Sequence, residues 1–377
     1  MKYCKICLDN NLRPNTSFTS NQICPSCNFL IKNKNEKKIN NYKNNILLEI
    51  TNKYKLKEKT NFDCIIGVSG GKDSTRQAIW VRDKLGLRPL LACLSYPPEQ
   101  ISDLGTRNIS NLINLGFDVI CSSLAPETWK ILIKESFFKF GNWAKSTELA
   151  LFSFVPQLAI KFKIPLILWG ENPGLQGGDT KSQASKGYDG KNLKNLNTLA
   201  GGDLSWISKK IKKKINLSPY TYPNKIDFNK NNLRIIYIGW FLDNWSPSYN
   251  AMSAISNGLE IRNKKFKNYG DILGITSLDE DWVTFNQLIK YYKYGFGRAT
   301  DYMNDEIRTN KITREEAIKI VKKYDGVYSK KIISDFCNYL NITPNLFWSN
   351  IKKFVNKKLF LVTENKITPK FIPGKDF

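Results

Sequence analysis

The stretch CIIGVSGGKDSTRQA, residues 64–78, decides the fold. It opens with an apolar run from Cys64 to Val68, turns through the adjacent glycines Gly70 and Gly71, and continues with helical spacing. A strand, a tight turn and a helix in that order aim several backbone N–H groups at one point. Such a concave nest at a helix N-terminus binds phosphate. The spacing is not that of GxxxxGK(S/T), whose longer loop wraps a nucleotide differently.

Outward from this loop, strand-like and helix-like segments alternate. FDCIIGVS (62–69), LRPLLACLSY (87–96), FDVICSSLA (117–125), IPLILWGEN (164–172) and LRIIYIGWF (233–241) read as strands, with helical patterns between them. That alternation predicts an α/β fold built on a doubly wound parallel sheet, which binds ligands beyond the carboxyl ends of its strands. The fourth strand ends at Glu171 and Asn172, a carboxylate and an amide facing the same crevice. Both are candidates to position Mg²⁺ or the atom being activated, as is Asp179. Residues 173–205 are long, polar and glycine-rich, the composition of a lid or substrate loop.

With 377 residues, 41% of them hydrophobic and 24% charged, the chain is long enough for one large domain with smaller attachments. It shows no long apolar run and no secretory signal, so a cytoplasmic location is expected, with no membrane partner. The net charge of +25 raises the question of nucleic acid. Much of the excess is Lys scattered among Asn and Ile, as in KKIKKKIN, which reads as solvated surface; no nucleic-acid partner is expected. The chain contains no histidine. That excludes Ser-His and Cys-His nucleophilic pairs, an imidazole base and histidine metal ligands.

Cysteine is patterned at the N-terminus. CKIC (Cys4, Cys7) is followed after sixteen residues by CPSC (Cys24, Cys27), so two thiolate pairs can converge on one tetrahedral Zn²⁺. Four cysteine ligands close the coordination sphere, which makes the centre structural. Residues 33–60 form a basic connector that reads as a linker helix.

The order Ser-Gly-Gly-x-Asp-Ser resembles the PP-loop of the ATP pyrophosphatase superfamily (adenine nucleotide alpha hydrolase-like), whose members adenylate a carbonyl or carboxyl oxygen and release pyrophosphate. The resemblance implies that Ser69, Gly70, Gly71, Lys72 and Ser74 cradle the β- and γ-phosphates of ATP and that Asp73 holds Mg²⁺. Lys72 would stand opposite the phosphates and stabilise developing charge.

The zinc knuckle, VSGGKDS, WGENP and above all YGFGRATDYMNDEIRTNKITREEAIKIVKKYDG (294–326) together are similar to the N-acetyl sugar amidotransferases of lipopolysaccharide and flagellar sugar biosynthesis. The resemblance covers nearly the whole chain to about residue 360. It implies an ATP-dependent carbon–nitrogen ligase that converts an acetamido group of an N-acetylated sugar, such as a nonulosonic acid precursor, to an acetamidino group. An adenylated intermediate would be attacked by ammonia derived from glutamine. This chain lacks the Cys-His pair of a triad glutaminase, and Lys2 stands where an N-terminal-nucleophile glutaminase has Cys. A separate glutaminase subunit is therefore expected.

Physically, the 294–326 segment reads as two helices, the second opened by a Thr313–Glu316 capping box. Arg298, beside flexible glycines, is a candidate to grip a sugar carboxylate or a phosphate; its bland alternative is an ion pair with Asp301 or Glu306. Two further helices follow, the second starting at Thr343 and Pro344. The expected organisation is a four-cysteine zinc knuckle (1–32), a linker helix (33–60), the PP-loop domain (61–260) with its flexible loop 173–205, and a helical C-terminal region (261–377). The main alternative is a PP-loop tRNA thiolase, which also combines a zinc knuckle with a PP-loop. Sulfur transfer needs reactive cysteines near ATP, and Cys64, Cys93, Cys121 and Cys337 show no CxxC pairing. A non-catalytic zinc-ribbon binding protein would leave the phosphate loop unexplained.

Overall fold

The computed structural model describes residues 1–32, 36–56, 61–171, 178–179, 181, 184, 187–242, 244–263, 266–364 and 366–377. Five parallel strands, β1 (Cys64–Gly67), β2 (Pro89–Ser95), β3 (Val119–Ser123), β4 (Leu166–Trp169) and β5 (Arg234–Tyr237), form one sheet in the order β3-β2-β1-β4-β5. The order reverses between β1 and β4, which pair in parallel through Ile65 with Ile167 and Ile66 with Leu168. A crevice opens at such a switch point.

Side-chain alternation explains why both faces are covered. After the short α1 (Pro25–Lys32), Cys64 and Ile66 point to one face, where they pack with Leu47 and Ile50 of α2 (Glu36–Tyr54), Ala78 and Val81 of α3 (Lys72–Leu85), and Leu112 of α4 (Asp103–Asn114). Ile65 points to the other, against Val155 and Ala159 of α6 (Ala144–Lys161), which follows α5 (Pro126–Phe140). Strands buried on both faces are near-continuous apolar runs, and that is how they read in the sequence.

The C-terminal region supplies the helices Val283–Tyr294, Arg298–Arg308, Arg314–Tyr324, Lys330–Leu340 and Pro344–Phe354. The Thr313–Glu316 capping box is present, and Thr343 caps the last helix with Pro344 inside its first turn. The region is not wholly helical: it ends in an antiparallel pair, Phe360–Val362 with Ile367–Pro369. Phe336 and Phe347 of the C-terminal helices share a core with Phe137 of α5 and Trp143 just ahead of α6, so this region and the sheet domain fold as one body.

Part of the expected loop 173–205 is core. Tyr188, Leu193 and Leu199 are buried, the Tyr237 N–H donates to Tyr188 O, and the Gly190 N–H donates to Ile235 O, so the segment from Gly187 onward covers β5. Polar composition hid this because three well-spaced apolar residues do the anchoring. Among the described residues no helix is long and apolar enough to cross a membrane.

Candidate active site

The phosphate loop sits where the sheet order reverses. Gly70 adopts φ +76°, and a Cβ there would lie 2.8 Å from Gly105 O, so both its backbone conformation and its neighbour require glycine. Gly71 is the N-cap of α3 with extended backbone and no side-chain cap, leaving the first N–H groups of a fourteen-residue helix for an anion. Ser74 Oγ donates to Gly71 O. Lys72 Nζ contacts Asp73 Oδ2 at 2.8 Å, while Asn250 Nδ2 donates to Asp73 Oδ1 at 2.5 Å. Burial opposes the Lys72 charge, but the Asp73 carboxylate outweighs it and holds the ammonium above its ordinary range. A polyphosphate and a divalent cation would each take one member of this pair.

Around the loop lies a cleft of two joined lobes, ≈ 380 and ≈ 420 Å³, that share Lys72, Asp73, Glu148, Glu171, Arg298 and Tyr302. Four of the sequence candidates, Lys72, Asp73, Glu171 and Arg298, are thus brought together. Asn172 lies outside the described residues. Partial desolvation in the cleft, then the neighbouring Asp73 charge, raises Glu171 above the usual carboxylate range against the pull of Lys72 and Arg298. Arg298 does not follow its bland alternative. Asp301 instead pairs with Arg13 and Lys290 at 2.6 Å each, and Glu306 lies 3.6 Å from Lys311. Asp179 borders the second lobe, where its carboxylate accepts from Asn15 Nδ2 and the Asn197 N–H.

Four cleft residues carry no motif and escape a sequence reading: Gln77, Trp143, Glu148 and Asp279. Gln77 alone had a usable signal, since it stands four residues after Asp73 on the same helix. Asp279 belongs to a C-terminal segment that crosses α4 so closely that a Cβ on Gly105 would sit 2.5 Å from Asp279 Cα. Its carboxyl accepts from Ser69 of the loop and from Tyr96, and burial pushes its pKa up to about 6. On the other side of Ser69 an apolar pocket of ≈ 250 Å³, lined by Leu94, Ile101, Ile109 and Ile113, opens over the ends of β2 and β3.

The four knuckle cysteines are buried and reduced, with their sulfurs within 4.8 Å of one another. Cys7 Sγ and Cys24 Sγ stand 3.7 Å apart. Sulfurs arranged tetrahedrally about 2.3 Å from Zn²⁺ would be spaced by about 3.8 Å, so the set fits zinc. The Ile6 and Cys24 N–H groups approach Cys4 Sγ, and the Cys27 N–H approaches Cys24 Sγ, as thiolate acceptors require. The Arg308 guanidinium lies 3.7 Å from Cys7 Sγ and 3.8 Å from Cys24 Sγ, a cation placed to offset the dianion that Zn²⁺ with four thiolates would form. Metal analysis is expected to find one Zn²⁺ per chain. Arg308→Met, which keeps the stem but not the charge, is expected to speed zinc loss to a chromogenic chelator about tenfold to hundredfold; an unchanged rate would remove Arg308 from this role.

The knuckle is docked on the C-terminal region. Leu8 N–H donates to Asn304 Oδ1, Arg13 bridges Asp9 and Asp301, and Tyr302, Met303 and Ile307 share the knuckle's apolar core. One face of the helix Arg298–Arg308 therefore packs the cysteine centre while its N-terminal end, through Arg298 and Tyr302, lines the cleft.

Residues 261–370 match a family model described as LPS biosynthesis protein WbpG-like, C-terminal domain. The C-terminal third is WbpG-like. The match contains the whole 294–326 segment that carries the likeness to sugar amidotransferases. No curated protein matches the chain. Among solved structures, the U34-tRNA thiolase NcsA from Methanococcus maripaludis with its 4Fe–4S cluster aligns over 90% of this chain and 95% of that one, at 12% identity and a TM-score of 0.27. At that score the two chains do not superpose closely. The fold is accordingly assigned on the chain's own geometry, a five-stranded parallel α/β domain with a glycine turn at the head of α3, joined to a C-terminal region that matches the WbpG-like model.

Proposed function

We propose that the chain is the synthetase subunit of an ATP-dependent amidotransferase that turns an acetamido group of an N-acetylated sugar into an acetamidino group for surface polysaccharide or flagellin glycan biosynthesis. One observation carries this reading: the WbpG-like segment walls the PP-loop cleft, through Asp279 beside Ser69 and through Arg298 and Tyr302 opposite Lys72 and Asp73. A sugar-biosynthesis domain and a phosphate nest then face one reaction space.

An amide carbonyl is a poor electrophile, so its oxygen must become a leaving group first. The acetamido oxygen attacks the α-phosphorus of ATP, pyrophosphate departs, and loss of the amide proton leaves an imidate ester of AMP. Ammonia adds to the imidate carbon, the C–O bond to AMP breaks, and an amidinium remains. Neither step needs a covalent protein nucleophile, in keeping with a chain without histidine. The α3 N-terminus, Ser69, Ser74 and Lys72 would hold the β- and γ-phosphates, and the apolar pocket beside Ser69 has the size and lining for adenine. Asp73 would hold Mg²⁺, which when bound supplies charge neutralisation at the phosphates. Glu171 and Arg298 would orient the sugar.

The protein, incubated with diacetamido sugars, ATP, Mg²⁺ and ammonium, is expected to give a product whose mass matches replacement of a carbonyl oxygen by an imino nitrogen, together with AMP and pyrophosphate. ATP hydrolysis to ADP, or no mass change with any such sugar, would overturn the reading. One observation favours the thiolase. Cys93 and Cys121 face each other across β2 and β3 and line the pocket beside Ser69. Burial pushes the Cys93 thiol well above its usual range, which disfavours the thiolate that sulfur transfer requires.

A further inference from the structure

Among the described residues, the cleft lobe around the phosphate loop and the apolar pocket beside it share three: Ser69, Tyr96 and Asp279. All three are partly exposed, so a ligand in either cavity can reach them. They are also joined. The Asp279 carboxyl accepts from both Ser69 and Tyr96, which places it on the threshold between the two cavities.

The C-terminal segment carries Asp279 to this threshold and pins it there. The Ser102 N–H at the head of α4 donates to Asp279 O, and Ile101 pairs with Glu280 in an antiparallel bridge. On the other flank the Arg262 guanidinium donates to Thr276 O, Ser277 O and Glu280 O. The Glu280 carboxylate accepts from the Trp282 and Val283 N–H groups. A side chain whose backbone is held from both sides is preorganised, so a ligand that uses it meets little ordering cost.

A nucleotide with its base in the apolar pocket and its terminal phosphates in the nest must cross the threshold with its ribose. The chemistry of the threshold suits that group. Burial raises the Asp279 pKa only to about 6, so at pH 8 the side chain is a carboxylate, which accepts and cannot donate. Its two oxygens offer about four acceptor positions, and Ser69 and Tyr96 leave some of them free. A fixed negative charge turns phosphate away and accepts strongly from a neutral hydroxyl pair.

We infer that Asp279 reads the ribose of ATP, accepting from its 2′- and 3′-hydroxyls, so that the C-terminal region selects ribonucleotides for the phosphate loop. This rests on the ATP part of the reading above, not on the acetamido chemistry, and goes beyond it by assigning a specificity residue that no motif marks. Tyr96 and Ser69 are positioning residues that orient the carboxyl.

The test is titration calorimetry at pH 8 on the full-length, zinc-loaded chain with Mg²⁺ and ATP, 2′-deoxy-ATP or 3′-deoxy-ATP, and no sugar. The wild type is expected to bind at least one deoxynucleotide about tenfold to hundredfold more weakly than ATP. Asp279→Ala is expected to weaken ATP by a similar factor and to bring all three nucleotides within about twofold of one another. Melting temperature is followed throughout. If Asp279→Ala folds poorly, the nearly isosteric Asp279→Asn is expected to cut the discrimination at least about threefold, since a neutral amide loses the charge-assisted part of the bond. Equal binding of all three nucleotides by the wild type, or discrimination that survives both substitutions, would overturn the inference. So would a loss of turnover in Asp279→Asn with discrimination intact, which would make the carboxylate a proton acceptor in the reaction. Failure of the wild type to bind ATP at all would overturn the ATP reading and this inference with it.

Discussion

Asp73→Asn is expected to cut ammonium-dependent turnover by at least about a thousandfold while leaving a folded protein. The carboxylate occupies the first turn of α3 beside the phosphate nest, where it accepts from Lys72 and Asn250. Asparagine is nearly isosteric and its oxygen can keep the Asn250 contact, so one hydrogen bond survives. Lys72, 9% exposed, loses its counter-charge, and the melting temperature should fall by only a few degrees because one partly solvated pair among many is affected. Loss of rate far beyond loss of stability would place Asp73 at the metal and phosphates. Turnover within tenfold of the wild type, in a variant with an unaltered circular dichroism spectrum, would take Asp73 out of the mechanism.

The fold was legible because its decisive signals are local. All five strands lie within apolar runs that the sequence displays openly, and the phosphate loop compresses a strand end, a positive-φ glycine and a helix start into about ten residues. The cysteine centre was equally legible, since its spacing is its chemistry. The walls of the cleft were not. Trp143 and Glu148 precede β4, Asp279 follows β5, and nothing in the spacing around them announces that they meet at Ser69 and Lys72. The partner of Arg298 was likewise open. Which cation Asp301 takes depends on Arg13 arriving from the knuckle and Lys290 from the preceding helix, a choice made by tertiary packing between parts of the chain far apart in sequence. Cys121 shows the same limit on a small scale: FDVICSSLA reads as a strand, but nothing in it tells that β3 lies at the sheet edge with the thiol exposed.

The second large effect concerns the source of ammonia. The isolated chain is expected to turn over with high ammonium, faster as rising pH frees more NH₃, and to give about a hundredfold less product with glutamine at equal concentration. The reasoning is chemical. Releasing ammonia from glutamine through a thiol requires a base to activate it, and this chain has no histidine to form a Cys-His pair. Of its cysteines, four form the knuckle centre, Cys64, Cys93 and Cys337 are buried, and burial raises each of those three thiols. Only Cys121 is exposed, and the chain has no imidazole to activate it. Adding a separate glutaminase subunit should restore glutamine use at low external ammonium, because delivery within a complex raises the local concentration at the adenylated sugar. Rapid glutamine-dependent turnover by the chain alone, free of contaminating glutaminase, would defeat the two-subunit proposal. Sulfide-dependent modification of tRNA with ATP, in place of amidine formation, would identify the thiolase instead and give the Cys93–Cys121 pair its purpose.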